Sequence, residues 1–99
     1  MGNAGEKLAA WWLADQGLTP LARNVDVDGG EIDLLMADGG QTVAVEVRTV
    51  TGEGDPIDAV DIAKRSHVRR LAGKAGVYRV DFLGVALRPW GVEIHWLPG

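Results

Sequence analysis

The stretch from Gly30 to Arg48, Gly-Glu-Ile-Asp-Leu-Leu-Met-Ala-Asp-Gly-Gly-Gln-Thr-Val-Ala-Val-Glu-Val-Arg, leaves the chain around it few options. Two apolar runs meet at Asp38-Gly39-Gly40, which predicts a hairpin of two strands around a glycine turn. With Gly39 and Gly40 as the loop, position i faces position 79 minus i, and Asp33 lies across from Glu46. Because strand side chains alternate, Glu31, Asp33, Glu46 and Arg48 are expected on one face, with Leu35, Ala37 and Ala44. Ile32, Leu34, Met36, Val43, Val45 and Val47 are expected on the other, which is wholly apolar. A face that carries acids among small and greasy residues predicts cover by another element.

Two carboxylates held close in a partly dry place repel, and each raises the other's pKa unless a cation sits between them. Arg48 is one candidate for that cation, in a cross-strand salt cluster with Glu31 or Glu46. The other is a divalent metal held by Asp33 and Glu46 in an all-oxygen site of the kind Mg²⁺ prefers. Spacing leaves both open.

A length of 99 residues suits one domain spanning residues 1–99 with a single core. The chain has no cysteine, which excludes disulfides and thiolate metal sites and is compatible with a reducing compartment. With only His67 and His95, a multi-histidine zinc site is excluded as well. The N-terminus lacks a basic stretch followed by an apolar run, and no segment reaches membrane-spanning length. A cytoplasmic protein without a membrane partner is expected. The net charge of −4 hides an asymmetry: residues 1–61 hold twelve acids against three bases, and residues 62–99 hold seven bases against two acids. An acidic metal pocket beside a basic flank for phosphates would look like this, and so would an accidental imbalance.

From Asn3 to Gln16 the spacing is helical, with Leu8, Ala9, Trp12, Leu13 and Gln16 on one side and Gly17 as the stop. Glu6 sits at the edge of that stripe, where a first-turn acid ordinarily serves the helix dipole. Trp11 falls on the polar side with Lys7 and Asp15. Leu18 to Asp28 reads as an edge strand containing Pro20. Past the hairpin, the loop from Thr51 leads to Asp55-Pro56, an acidic cap with proline in the first turn of a helix expected to reach Ala75. Val60, Val68, Leu71, Ala72 and Ala75 make its core stripe. Lys64 falls within that stripe, whereas Arg65, Arg69, Arg70 and Lys74 fall away from it. That basic side suits phosphates, or it is a solvated face. A second hairpin, Tyr78 to Leu87 and Val92 to Leu97, follows around Pro89-Trp90.

Taken together, Gly-x-x-Gly-Glu at residues 2–6, Arg23-Asn24, Gly30-Glu31-Ile32-Asp33-Leu34, Val45-Glu46-Val47-Arg48-Thr49, Lys64 and Arg79-Val80-Asp81 resemble the YraN-like family of small bacterial proteins. That family is assigned to the restriction-endonuclease-like PD-(D/E)-x-K superfamily, and the pattern is similar to that of archaeal Holliday-junction resolvases. The resemblance covers nearly the whole chain. It implies an α/β domain with a central mixed β-sheet flanked by helices, and a nuclease acting on DNA with Mg²⁺ or Mn²⁺. It makes Asp33 and Glu46 metal-binding and catalytic, adds Glu6 as a ligand or water holder, and gives Glu31 a supporting role. The positioning contacts to DNA, branched or single-stranded, are expected from Lys64, Arg65, Arg69, Arg70 and Lys74, and a homodimer is compatible with the pattern.

Arg48 departs from the family, which usually has Lys there. A lysine can hold or polarise the attacking water, whereas arginine is a wider fork that stays charged and cannot act as a base. It can still stabilise charge developing on phosphate. The departure keeps open a nucleic-acid-binding module that has lost its catalytic step, and the net acidity with Trp11 on the polar side keeps open a protein-interaction domain without nucleic-acid contact. A second departure is the short passage from Leu71 to Val77, where family members carry more helix and loop.

Overall fold

The structure, a computed structural model, describes residues 4–52 and 62–99, with the backbone alone at 62–64. In chain order it contains α1 (Ala4–Asp15), β1 (Thr19–Val27), β2 (Gly30–Asp38), β3 (Gln41–Thr51), α2 (Ile62–Lys74), β4 (Arg79–Arg88) and β5 (Gly91–Leu97). The expected helix start at Asp55-Pro56 and the core position Val60 lie outside the described residues, as do Gly2 and Asn3 of the first motif. The strands form one sheet in the order β1-β2-β3-β4-β5. The β3–β4 pair is parallel and the others are antiparallel, so the sheet is mixed. A parallel pair needs a crossover, and α2 lies in it.

Both helices end in the same way. Leu18 N–H donates to the Leu13 carbonyl at 3.1 Å and Gly17 N–H to Ala14 at 3.1 Å, with Gly17 at φ 102°. Val77 N–H donates to Ala72 at 2.8 Å, with Gly76 at φ 78°. These are glycine caps that satisfy the last helical carbonyls, and in each the residue after the glycine is buried. The short passage after Leu71 is thus a closed helix end that delivers the chain directly into β4.

The sheet is covered on both faces. Leu34, Met36, Val43, Val45, Leu83 and Val85 pack with Ala9 and Leu13 of α1. Ile32, Ala44, Val80 and Phe82 pack with Val68, Leu71 and Ala72 of α2. Each fully buried aliphatic side chain of this kind contributes about 1.5–3 kcal/mol. This is the helix-flanked mixed sheet expected of a restriction-endonuclease-like α/β domain.

The hairpin register is the expected one, running from Asp38↔Gln41 to Leu34↔Val45. The alternation of β2 is not. Ile32, expected beside Leu34, instead faces α2. The cause lies in β1, where Arg23 pairs Leu34 and Val25 pairs Ile32 while Asn24 takes φ 52° between them. With one residue set aside on each strand, at Asn24 and Asp33, the pairing number is unchanged but the faces exchange. Gly30 opens β2 against α2: a Cβ there would stand 2.6 Å from Leu71 Cδ1.

Candidate metal centre

Asp33 sits where β2 and β3 part. Beyond Leu34↔Val45 the ladder stops, and the Val47 N–H, denied a backbone acceptor, donates to Asp33 Oδ2 at 2.8 Å. The carboxylate therefore fills the gap between the strands and can be approached from both faces. From the α1 face comes Glu6, brought in by the first helical turn and only 6% exposed. Asn24 Nδ2 donates to Glu6 Oε1 at 2.7 Å and to Glu31 Oε1 at 3.1 Å, bracketing the two acids. Glu6, Glu31 and Asp33 each present a carboxylate oxygen, all within 4.8 Å of one another. Glu46, 7% exposed on β3, is hydrogen-bonded to Asp33.

The electrostatics follow from this crowding. Asp33 is pushed up to about 8 from its ordinary 3.8. Burial is the main cause, and the charges of Glu46 and Glu6 add to it, while the Val47 N–H works in the opposite direction. Both charges that shift it are negative, so the three acids raise the cost of ionising one another. The cluster's donors are all hard carboxylate oxygens, partly buried and held by α1, β2 and β3, a set that fits Mg²⁺ or Mn²⁺.

Among the residues expected here, Asp33, Glu46 and Glu6 are brought together. Glu31, expected only to support, stands among them because the exchange of faces at Asp33 turns it toward α1. The signal for this was Asn24: asparagine is among the few side chains that tolerate φ near +50°, and it faces Asp33 in the strand pair. Arg48, the alternative cation for this cluster, is exposed.

The basic helix is less free than its sequence implied. Arg65, expected to point away from the core, is half-buried with its guanidinium 5.3 Å from the Phe82 ring centroid. Phe82 rises from the sheet beneath α2, and the stem of Arg65 covers it. Lys74 pairs with Asp28 in the β1–β2 turn, and Arg70 contacts His67 Nδ1 at 2.9 Å. Arg69 and Arg70 are exposed without a carboxylate partner among the described residues. The side chain of Lys64 lies outside the described residues. No helix among the described residues is long and apolar enough to cross a membrane.

Comparison with known proteins finds a family described as "Uncharacterised protein family UPF0102" matching residues 5–85. The UPF0102 protein of Leifsonia xyli subsp. xyli is 39% identical over 111 aligned positions, covering 100% of this chain and 93% of that protein. That of Clavibacter michiganensis subsp. michiganensis is 42% identical, covering 86% of this chain and 80% of its own. A third, from Symbiobacterium thermophilum, is 47% identical over 73% of this chain and 63% of its own. Among solved structures, one titled "Crystal structure of SSO0001" aligns with 93% of this chain and 50% of its own, at 11% identity and a TM-score of 0.44.

Proposed function

The chain belongs to the uncharacterised family UPF0102, the YraN-like family, and from that premise we propose that it is a Mg²⁺- or Mn²⁺-dependent nuclease that hydrolyses DNA phosphodiesters. The observation that carries the reading is the convergence of Glu6, Glu31 and Asp33 within 4.8 Å, with Glu46 bonded to Asp33. Asp33, Glu46 and Glu6 would hold the ion, with Glu31 beside them. Once bound, such an ion lowers the pKa of a coordinated water and neutralises charge on the scissile phosphate.

The protein's own groups divide the remaining work. Asp33 is oriented by the Val47 N–H, and Asn24 holds Glu6 and Glu31 in place, so the donors are set before a ligand arrives. Arg48, two residues beyond Glu46 and exposed, would reach the phosphate as a fixed positive charge. Arg69 and Arg70 would position the backbone of the nucleic acid without reading bases. The family resemblance supports branched or single-stranded DNA as substrate.

One observation favours a second reading. Arg48, exposed, stands where the family usually has Lys, which suits a binding module that has lost its chemical step. A nicking assay on supercoiled, branched and single-stranded DNA in Mg²⁺ and in Mn²⁺ separates the two. Under the nuclease reading the native protein cuts, Asp33→Asn abolishes cutting, and Arg48→Lys preserves or raises it. Equal cutting by the native chain and Asp33→Asn removes the catalytic assignment, and salt-sensitive binding without scission selects the binding module.

A further inference from the structure

On the side of the carboxylates opposite the basic helix, α1 and the edge strand β1 enclose a groove of about 280 Å³. Its floor and walls are apolar, from Ala10, Leu21 and Leu34, and its rim carries Lys7 and Arg23. Leu21 is 54% exposed because a register irregularity between Pro20 and Ala22 turns it out of the ladder. Lys7 and Arg23 are exposed, and neither has an acidic partner among the described residues. Two cations on the walls of one groove, neither paired with an acid among the described residues, concentrate positive charge there in a chain of net charge −4. Trp11, 70% exposed, stands one turn from Lys7 on the same side of α1, next to Ala10.

Three of the lining residues are chain neighbours of residues of the candidate metal centre. Lys7 follows Glu6, Arg23 precedes Asn24, and Leu34 follows Asp33. A ligand that carries both anionic groups and a flat apolar ring matches this surface, with cations in the groove and the exposed Trp11 ring beside it. An unpaired nucleotide strand has that chemistry, with phosphates for Lys7 and Arg23 and a base face for Trp11. A duplex does not, because its bases are stacked inward.

We propose that the α1–β1 groove binds an unpaired DNA strand next to the carboxylate cluster, its phosphates on Lys7 and Arg23 and one base stacked on Trp11. The choice of DNA as ligand rests on the nuclease reading. The groove thereby selects flaps, gaps and branch arms over intact duplex, with Lys7, Arg23 and Trp11 as positioning residues.

The test measures fluorescence anisotropy of a labelled twelve-nucleotide single strand and of the matching duplex, without divalent metal so that nothing is cut. Because all three side chains are exposed, Lys7→Ala, Arg23→Ala and Trp11→Ala leave the core intact; far-UV circular dichroism checks this. Each cation variant is expected to weaken single-strand binding severalfold and to reduce the salt slope by about 0.7. Trp11→Ala should weaken single-strand affinity by about tenfold and leave the duplex unchanged. Single-strand affinity equal to native in all three variants overturns the proposal, as does no single-strand binding by the native protein. Groove-dependent binding with no cutting in Mn²⁺ defeats the nuclease reading and leaves the groove standing. Cutting that persists with native KM in the three variants defeats the groove and leaves the nuclease.

Discussion

Asp33 concentrates the energetic cost of the site. Its carboxyl prefers to stay protonated in the folded metal-free protein up to about pH 8, whereas the unfolded chain ionises near 3.8. The native state therefore binds the extra proton between those limits, and this contribution to stability is fully present below 3.8 and lost as the pH rises through 8. The melting temperature of metal-free protein should fall as pH is raised from 5 to 9, and Asp33→Asn should flatten that profile; calorimetric melts at fixed ionic strength read both. A divalent ion must displace the same proton, so Mn²⁺ affinity should weaken as the pH falls below about 8, with proton release visible in calorimetric titrations run in two buffers of different ionisation enthalpy. Asn24 offers a second probe. Asn24→Gly keeps the φ 52° backbone easy while deleting the bonds to Glu6 and Glu31, whereas Asn24→Ala also strains the backbone. Both should lose metal affinity, with Ala about 1–2 kcal/mol the less stable of the two in urea unfolding. That Asp33 comes close to Glu46 was legible in the hairpin spacing, because the Gly39-Gly40 loop fixes the register that the ladder keeps up to Leu34↔Val45. Glu31 and Ile32 were misplaced, because alternation assumes a regular strand and Asn24 interrupts it from a neighbouring one.

At the scale of elements, most of the framework could be read in advance because each boundary has its own chemistry. Gly17 and Gly76 close the helices, Gly39-Gly40 turns the hairpin, and Pro89-Trp90 turns the second. The contact of α2 with β2 was not legible, since Gly30 looked like a turn residue. In the structure it is a close approach, with Leu71 filling the space a side chain would need. Gly30→Ala should therefore overpack the α2 face and cost about 1–3 kcal/mol in chemical unfolding. The nearest atom is the tip of Leu71, so shortening it should make room. In Leu71→Val the Ala at position 30 should cost measurably less than in the native background, a favourable coupling in a double-mutant cycle. Equal penalties in the two backgrounds would show that Gly30 is needed for its backbone and not for its contact with α2. The basic character of α2 was visible in sequence, but its partners were not. Lys74 ties the helix to Asp28 and Arg65 covers Phe82, so only part of that charge faces outward.

For the whole molecule, the segregation of acids and bases along the chain is in part a folding device. Two bases of the C-terminal part reach back to acids of the N-terminal part, Arg79 to Asp38 and Lys74 to Asp28, while Arg88 pairs locally with Glu93. The strongest of these ties centres on Asp81, which is fully buried and accepts from Arg79 Nε and Nη2, Trp96 Nε1 and the Gly99 N–H at 2.7–3.0 Å. Arg79 also donates to Asp38 and Gln41 across the hairpin turn, and Trp96 meets Trp12 of α1 edge to face at 5.8 Å. The guanidinium is held above its ordinary range, first by Asp81 and then by Asp38, so it remains charged at every pH the fold survives. One carboxylate thus joins β2, β3, β4, β5 and α1. Asp81→Ala leaves Arg79 with Asp38 as its remaining carboxylate and the Trp96 and Gly99 donors without their buried acceptor, and should cost about 1–3 kcal/mol in urea unfolding. Asp81→Asn retains an oxygen acceptor and should cost less. Replacing Trp96 with Phe, which deletes one donor and keeps the ring packed on Trp12, should cost least. If Asp81→Ala instead unfolds at the native urea concentration, the strands are held by their ladders and apolar contacts alone, and the buried ion pair contributes only to choosing the register.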